Sequence, residues 1–347
     1  MRVILLSCHL IIGMPFLGSS LARAQDREPP SLRLSGLLPG GVRNSLTESW
    51  SRLDFKLTNT TDTDRRARVF AFYEGRPDVQ YGRDVWVPAR SSLSTWMVVG
   101  PAPSEGPTRA RPLQVLLYER RGGADHLVLP PTEERRRSEL LYYRKREPFT
   151  AILLDELSTD DVVFGQLPRP ESRADEALLL AQTFRRARRL STFVGQVGTS
   201  SLPVTPEAFD GIDHFVFASG KMASEPGAMR ALRQWLEGGG TVWVMLDMVE
   251  PEVVAPLLGD ALDFQVVDRV SLTTIEIATQ LSGKRLWEEP VRDYERPVEF
   301  VRVLLPQNER PRHSVDGWPV WFSRQVGRGK VVFTTLGPRA WYRPRER

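Results

Sequence analysis

The chain has little cysteine and little histidine, and each shortage excludes a class of chemistry. Its single cysteine is Cys8, so the residues after it offer neither a disulfide nor a thiol nucleophile. Among its histidines, His126, His214 and His313 follow residue 24, far apart and without the spacing of a zinc site. The serine elbow Gly-x-Ser-x-Gly is absent as well. The sequence therefore predicts no metal, no cofactor and no catalytic nucleophile.

Lysine is also scarce, and arginine carries nearly all of the positive charge. The 47 basic residues include only five lysines, and 43 acidic residues leave a formal net charge of +4. The densest basic runs are residues 135–137, 144–146 and 185–189, and none is interleaved with a nucleic-acid-binding motif. A nucleic-acid surface needs positive charge concentrated on one face. We therefore expect a solvated arginine-rich surface and no nucleic-acid partner.

Residues 1–24 have the features of a cleaved signal peptide. Arg2 precedes a mostly apolar run, and Ala22-Arg23-Ala24 supplies the small residues that a signal peptidase reads, so cleavage is predicted after Ala24. An uncleaved membrane anchor is the main alternative, because the apolar run approaches spanning length. A lipoprotein is disfavoured because too few residues precede Cys8. We expect an exported protein, periplasmic or extracellular, with no transmembrane segment in the mature chain.

Residues 25–147 read as a domain built of strands. Leu53, Phe55 and Leu57 alternate with polar residues, which is the period of a strand with one wet face. Several such runs separated by turn residues predict an antiparallel β-sandwich of immunoglobulin or fibronectin type. Three aromatics on these strands, Trp86, Trp96 and Tyr81, are candidates for a carbohydrate-binding face. Core or cross-strand packing is the more common role for aromatics at strand positions.

Residues 148–340 alternate between apolar runs and amphipathic segments. The run from Phe149 to Leu154 is typical of a buried strand, and residues 171–190 carry a helical period. Between Asp213 and Asp247 two short apolar runs flank one amphipathic helix, which is the pattern of a β-α-β unit. The sequence thus predicts an α+β two-domain protein whose second domain is α/β with a mostly parallel sheet.

Several stretches of this second domain resemble the class I glutamine amidotransferase-like (flavodoxin-like) superfamily. They are residues 209–217, the helix end and glycine run at 232–240, and the strand at 241–244. The stretch at 326–333 is similar to the closing hairpin of its non-catalytic exported branch, in which a β-sandwich often precedes this domain and a membrane anchor follows. The resemblance covers residues 149–340 and implies that fold. The charged tail 341–347 then suggests a lost or truncated C-terminal anchor.

Active members of that superfamily carry a cysteine at the elbow after a sheet strand, and this chain departs from them there. The matching strand ends at Leu246, and Asp247 and Met248 occupy the elbow. The leading hypothesis is therefore a non-enzyme, an envelope protein that binds a protein partner or a small ligand.

Ligands bind at the carboxyl ends of strands in open α/β sheets. Asp155, Ser219 and Asp247 each follow a predicted strand, and together they form the candidate site, here called the carboxyl rim. Two alternatives stay open: a hydrolase or metal-dependent enzyme at the carboxyl rim, and a carbohydrate-binding module.

Overall fold

The computed structural model describes residues 31–39, 49–101, 113–128, 147–155, 172–199, 202–281, 284–288, 291–307 and 309–342. The predicted signal peptide, most of the charged tail and residues 129–146 before the predicted domain boundary lie outside these ranges. Strands make up 49% of the described residues and helices 21%, so the described chain is mostly β.

The first part of the described chain forms two antiparallel sheets. Its strands are β1 (Leu32–Pro39), β2 (Ser51–Asn59), β3 (Arg65–Tyr73), β4 (Arg76–Val87), β5 (Ser92–Val99), β6 (Leu113–Arg121) and β7 (Ala124–Val128). One sheet has the order β1-β2-β5 and the other the order β4-β3-β6-β7. Alternate residues such as Leu57, Val69 and Leu117 point inward and share one hydrophobic cluster. The two sheets therefore pack face to face, as the period-2 pattern requires.

The second part of the described chain contains both helices and strands. The strands are β8 (Thr150–Leu153), β9 (Gly195–Val197), β10 (His214–Phe217), β11 (Thr241–Met245), β12 (Gln265–Ile275), β13 (Ala278–Leu281), β14 (Lys284–Glu288), β15 (Arg292–Leu304), β16 (His313–Val315), β17 (Trp318–Pro319), β18 (Trp321–Val326) and β19 (Gly329–Thr334). The helices are α1 (Arg173–Ala187), α2 (Pro226–Glu237) and α3 (Pro251–Leu258).

A mixed sheet is the frame of this second part. Within the described residues its order is β9-β8-β10-β11-β19-β18, with β18 antiparallel and the other strands parallel. Ile152, Val216 and Met245 pack on the side of α1, whereas Leu153 and Phe217 pack on the side of α2 and α3. Each strand is thus buried on both faces, which explains its continuous apolar sequence.

The predicted fold class is wrong for the second part. The described residues between 265 and 319, expected to lie in an α/β domain, instead form two further antiparallel sheets, with the orders β12-β15 and β14-β13-β16-β17. With one antiparallel strand in the mixed sheet as well, the described residues do not form a clear flavodoxin-like domain. The physical reason lies in β12 and the first half of β15, which are polar and exposed or half-buried, so they lack the continuous apolar run expected of a strand buried on both faces.

The two parts meet at a buried arginine on β2. Arg52 is only 3% exposed and donates from Nη1 to the carbonyl oxygen of Leu202. Nearby, the backbone nitrogen of Trp50 donates to Asp210 Oδ2 at 3.0 Å. Arg52 also forms an ion pair with Asp54, and burial raises the pKa of that carboxyl. The charged groups of Arg52 and Asp54 are therefore removed from water, so loss of one of them would leave the other as an unpaired buried charge.

The hairpin of β18 and β19 approaches the end of α2 so closely that only glycine fits at Gly329. A Cβ atom there would clash with the carbonyl oxygen of Leu236 and lie 2.6 Å from that of Gly240. The adjacent nitrogen of Lys330 donates to Gly240 O at 3.0 Å, so the backbone is fixed on both sides. Neither carbonyl belongs to a flexible side chain that could move aside.

We expect Gly329→Ala to lower the free energy of unfolding by more than about 2 kcal/mol, because the added methyl overlaps fixed backbone. Urea unfolding of residues 25–347 measures the loss. Gly220→Ala is the matched control, since its Cβ would meet no described atom within 4 Å. Equal losses in the two variants would contradict this account of the hairpin.

Candidate functional site

The carboxyl ends of β8, β10 and β11 lie in register at one edge of the mixed sheet. Leu153 pairs with Phe217, which in turn pairs with Val244. Asp155 and Ser219 each stand two residues beyond these paired positions, and Asp247 follows β11 at the same edge. Parallel strands bring their carboxyl ends to one edge, so the carboxyl rim predicted from the sequence exists as a location in the structure.

Asp155 and Ser219 are in direct contact. The hydroxyl of the buried Ser219 donates to Asp155 Oδ1 and accepts from the backbone nitrogen of Lys221 at 3.1 Å. Lys221 also donates from Nζ to the carbonyl oxygen of Asp155 at 2.8 Å. Ser219 is the N-cap of the short 3₁₀ helix Gly220–Ser224, so its hydroxyl satisfies a free backbone N–H. These contacts tie two neighbouring loops together.

Asp247 is buried and bound by arginines from two other elements. Its Oδ2 accepts from Arg173 Nη2 at 3.1 Å, and its carbonyl oxygen accepts from the same nitrogen at 2.7 Å. That carbonyl also accepts from Arg269 Nη1 at 3.0 Å. Arg173 is the first residue of α1, and Arg269 belongs to β12. Asp247 therefore joins the end of β11 to both elements.

Burial makes the ionised form of the Asp247 carboxyl unfavourable. Its Oδ1 atom is buried and has no hydrogen-bond partner among the described residues. Burial raises the pKa of Asp247 to about 6, and the nearby Arg173 offsets only part of this effect. The guanidinium of Arg173 is 52% exposed, so water screens its attraction for the carboxylate. Asp247 thus takes up a proton at a pH well above that of an ordinary aspartate.

The carboxyl rim is split between the two sides of the sheet. Side chains along a strand alternate between the two faces of the sheet, so Ser219, two residues after Phe217, lies on the same side as Phe217, which is the side of α2. Asp247, two residues after Met245, lies on the opposite side, where Arg173 begins α1. The structure thus brings Asp155 and Ser219 together and places Asp247 with two arginines. This arrangement provides two separate loop anchors.

Arg173 and Arg269, the arginines that bind Asp247, are site residues that the sequence analysis missed. Arg173 carried a weak signal, because it stands at the start of a predicted helix whose cap, Ser172, precedes it. Arg269 carried none, since β12 was not predicted. Its other contact is an ion pair with Glu250 at 2.9 Å. A single arginine on an unrecognised strand cannot be told apart from the many arginines on the surface.

The described part of the chain contains no group of three or more histidine, cysteine, aspartate or glutamate residues that could hold a metal ion. No helix within those ranges is long and apolar enough to cross a membrane.

The three aromatics considered for carbohydrate binding do not share a face. Trp86 is 57% exposed on the outer side of the sheet that contains β3, β4 and β6. Tyr81 packs edge-on against Trp50 and Tyr73, at centroid distances of 6.0 and 6.3 Å, and donates to Gly100 O. Trp96 lies under the guanidinium of Arg83, 4.6 Å from its ring centroid. Only Trp86 remains open to a ligand.

Comparison with known proteins adds little. No protein-family model matches the chain, and neither does any curated protein. A cytoplasmic protein of Salmonella typhimurium LT2 shares 15% identity, with 55% of this chain and 87% of that one covered at a TM-score of 0.38. An exo-β-1,4-mannosidase of an Opitutaceae bacterium shares 15%, covering 59% and 33% at 0.33, and the mmIFT52 N-terminal domain shares 12%, covering 54% and 85% at 0.33. These likenesses are too weak to show a shared fold or activity.

We expect Asp247→Asn to change the pH dependence of stability. The raised pKa means that the folded state holds the proton of Asp247 more tightly than the unfolded state does. The stability contributed by protonation is complete below pH about 4 and is lost as the pH rises through about 6. The asparagine variant has no such loss, so from pH 4 to pH 7 its unfolding free energy should rise relative to the parent by roughly 2 kcal/mol.

Urea unfolding at several pH values measures this difference, with Asp268→Asn as the control. A hydrogen bond from Arg302 lowers the pKa of Asp268, so the stability contributed by that exposed carboxylate is present at neutral pH and lost in acid. Because that loss falls below about pH 4, the stability of the control relative to the parent should change little between pH 4 and pH 7. A relative stability of Asp247→Asn that does not change with pH would contradict the assignment of a raised pKa.

Proposed function

We propose that this chain is an exported, non-catalytic protein that acts by binding a protein partner in the cell envelope. The observation that carries the proposal is that Asp247 is buried and bound by Arg173. Both its carboxylate and its carbonyl accept hydrogen bonds from that arginine. A buried side chain that joins a strand to a helix is not available to attack a substrate.

Ser219 supports the same conclusion. Its hydroxyl is buried, donates to Asp155 and caps the turn that begins at Gly220. A serine nucleophile needs a base that takes its proton and is itself oriented by a third group. Here the hydroxyl holds two loops together. The hydrolase alternative would require this contact to break and Ser219 to become accessible.

The loops around the carboxyl rim offer the partner an exposed and charged surface. Asp155 and Lys221 are exposed, as are the side chains of Arg173 (52%) and Glu250 (62%). Both signs of charge are present, and each of the four side chains or its loop is held by a hydrogen bond or an ion pair. Fixed charges of alternating sign favour one orientation of a complementary partner and disfavour others. We therefore place the docking surface here.

Charge reversal at this surface tests the proposal. In a cross-linked pull-down of residues 25–347 from the native envelope fraction, Lys221→Glu and Glu250→Lys should each reduce capture of one stoichiometric partner about tenfold. Lys330→Glu is the matched control, because Lys330 is exposed and lies at the opposite edge of the sheet, paired with Thr241. It should leave capture unchanged.

Two results would overturn the proposal. Capture that survives both charge reversals would remove the carboxyl rim as the docking surface. Ester or peptide hydrolysis by the purified chain that disappears in Ser219→Ala, without a change in its unfolding midpoint, would establish a hydrolase instead.

A further inference from the structure

A second open surface lies on the outer face of the β4-β3-β6-β7 sheet, away from the mixed sheet. It is a groove of about 330 Å³ whose lining includes three arginines and one tryptophan. The charged and aromatic residues of the lining are Arg66, Arg68, Asp84, Trp86 and Arg120. The proposed docking at the carboxyl rim does not use this groove.

Strand register places the key side chains in one row across the groove. Arg66 on β3 pairs directly with Trp86 on β4. On the other side of β3, Ala67 pairs with Glu119 of β6, which sets Arg66 beside Arg120. Adjacent strands are about 4.8 Å apart, so the row from tryptophan to the second arginine spans roughly 10 Å. This length matches a sugar ring together with its substituents.

Two of the three arginines in the groove have exposed side chains. Arg68 donates to Asp84 Oδ2 and to Asp125 Oδ2, both at 2.9 Å, so its charge is offset by two carboxylates. Arg66 and Arg120 are exposed; Arg120 lies across from Asp125 on β7 and helps to lower the pKa of Asp84. The groove therefore presents two planar guanidinium groups that can each bind a carboxylate through paired hydrogen bonds.

The position of the groove on the face of a sheet restricts how a ligand is recognised. A peptide that adds a strand to a sheet needs unpaired backbone groups at an edge. The backbone groups of β3, at the centre of the groove, already pair with β4 and β6. Side chains alone must therefore bind the ligand, through the apolar face of one indole and the charge of two arginines. A pyranose ring with a carboxylate matches both, because its C–H face stacks on an aromatic ring.

We propose that this groove binds an acidic polysaccharide. A uronic acid ring stacks on Trp86, and its carboxylate, or that of the next residue in the polymer, binds Arg66 and Arg120. The Asp84–Arg68–Asp125 ion pairs hold the floor of the groove in place. The proposal is independent of partner docking at the carboxyl rim, because the two surfaces belong to different sheets.

Calorimetric titration of residues 25–347 with oligogalacturonate tests the proposal, with a neutral galactan oligomer of equal length for comparison. We expect binding of the acidic oligomer only, weakened by added salt. Trp86→Ala and Arg66→Gln should each reduce affinity about tenfold, whereas Trp86→Phe should retain most of it. Arg296→Gln is the control, because Arg296 is an exposed strand arginine outside the groove.

Each alternative result has a definite meaning. Absence of binding to the acidic oligomer would overturn the proposal, as would equal binding of the neutral one. Binding that is unchanged in Trp86→Ala and matched by a polyglutamate peptide would show attraction by charge alone and would also overturn it. The substituted side chains are exposed, so unchanged unfolding midpoints are expected and separate loss of binding from loss of folding.

Discussion

The second part of the structure depends on one residue, Asp247, whose carboxylate and backbone carbonyl are both bound by arginine side chains. Asp247 links the end of β11 to Arg173, 74 residues earlier, and its carbonyl binds Arg269, 22 residues later. Breaking one side of such a pair leaves a charge without compensation inside the protein, which costs more than the intact pair contributes. The position of α1 over the sheet and the entry of β12 therefore depend on the same residue. These contacts account for the burial of Asp247 at the end of β11.

The elements that could be predicted from the sequence are those whose apolar spacing matches the faces that the structure buries. Helix α1 and strand β11 lie where their apolar spacing placed them, because each is buried on the face or faces that the pattern implies. The hairpin of β18 and β19 was also predictable, because a glycine turn separates two apolar runs, and the two strands do pair antiparallel. Strand β12 and the first half of β15 are polar and mostly not buried, so their period is hidden in the sequence. The fold-class error came from these strands and the short ones between them, which form the two additional antiparallel sheets.

The candidate sites show a similar division. That Asp155 and Ser219 share an edge follows from parallel pairing, and it could be inferred once their strands were recognised. The side of the sheet on which Asp247 lies, and its arginine partners, depended on β12 and on the path of the chain after β11. The row of Trp86, Arg66 and Arg120 depends on the register of three strands, and a shift of one residue would turn each side chain to the other face. Sequence alone does not determine that register.

The order of strands in the mixed sheet has a consequence for how the chain folds. Strand β19, the most C-terminal in the described residues, lies inside the sheet between β11 and β18, and Thr241 pairs with Lys330. The intervening residues include β12 to β17, with an apolar cluster of their own around Val298 and Val315. Parallel pairing over such a separation forms slowly, because the long loop must close first. Until residues up to 334 are in place to pair, β11 has an unpaired edge, and the incompletely folded chain is exposed to aggregation during that interval.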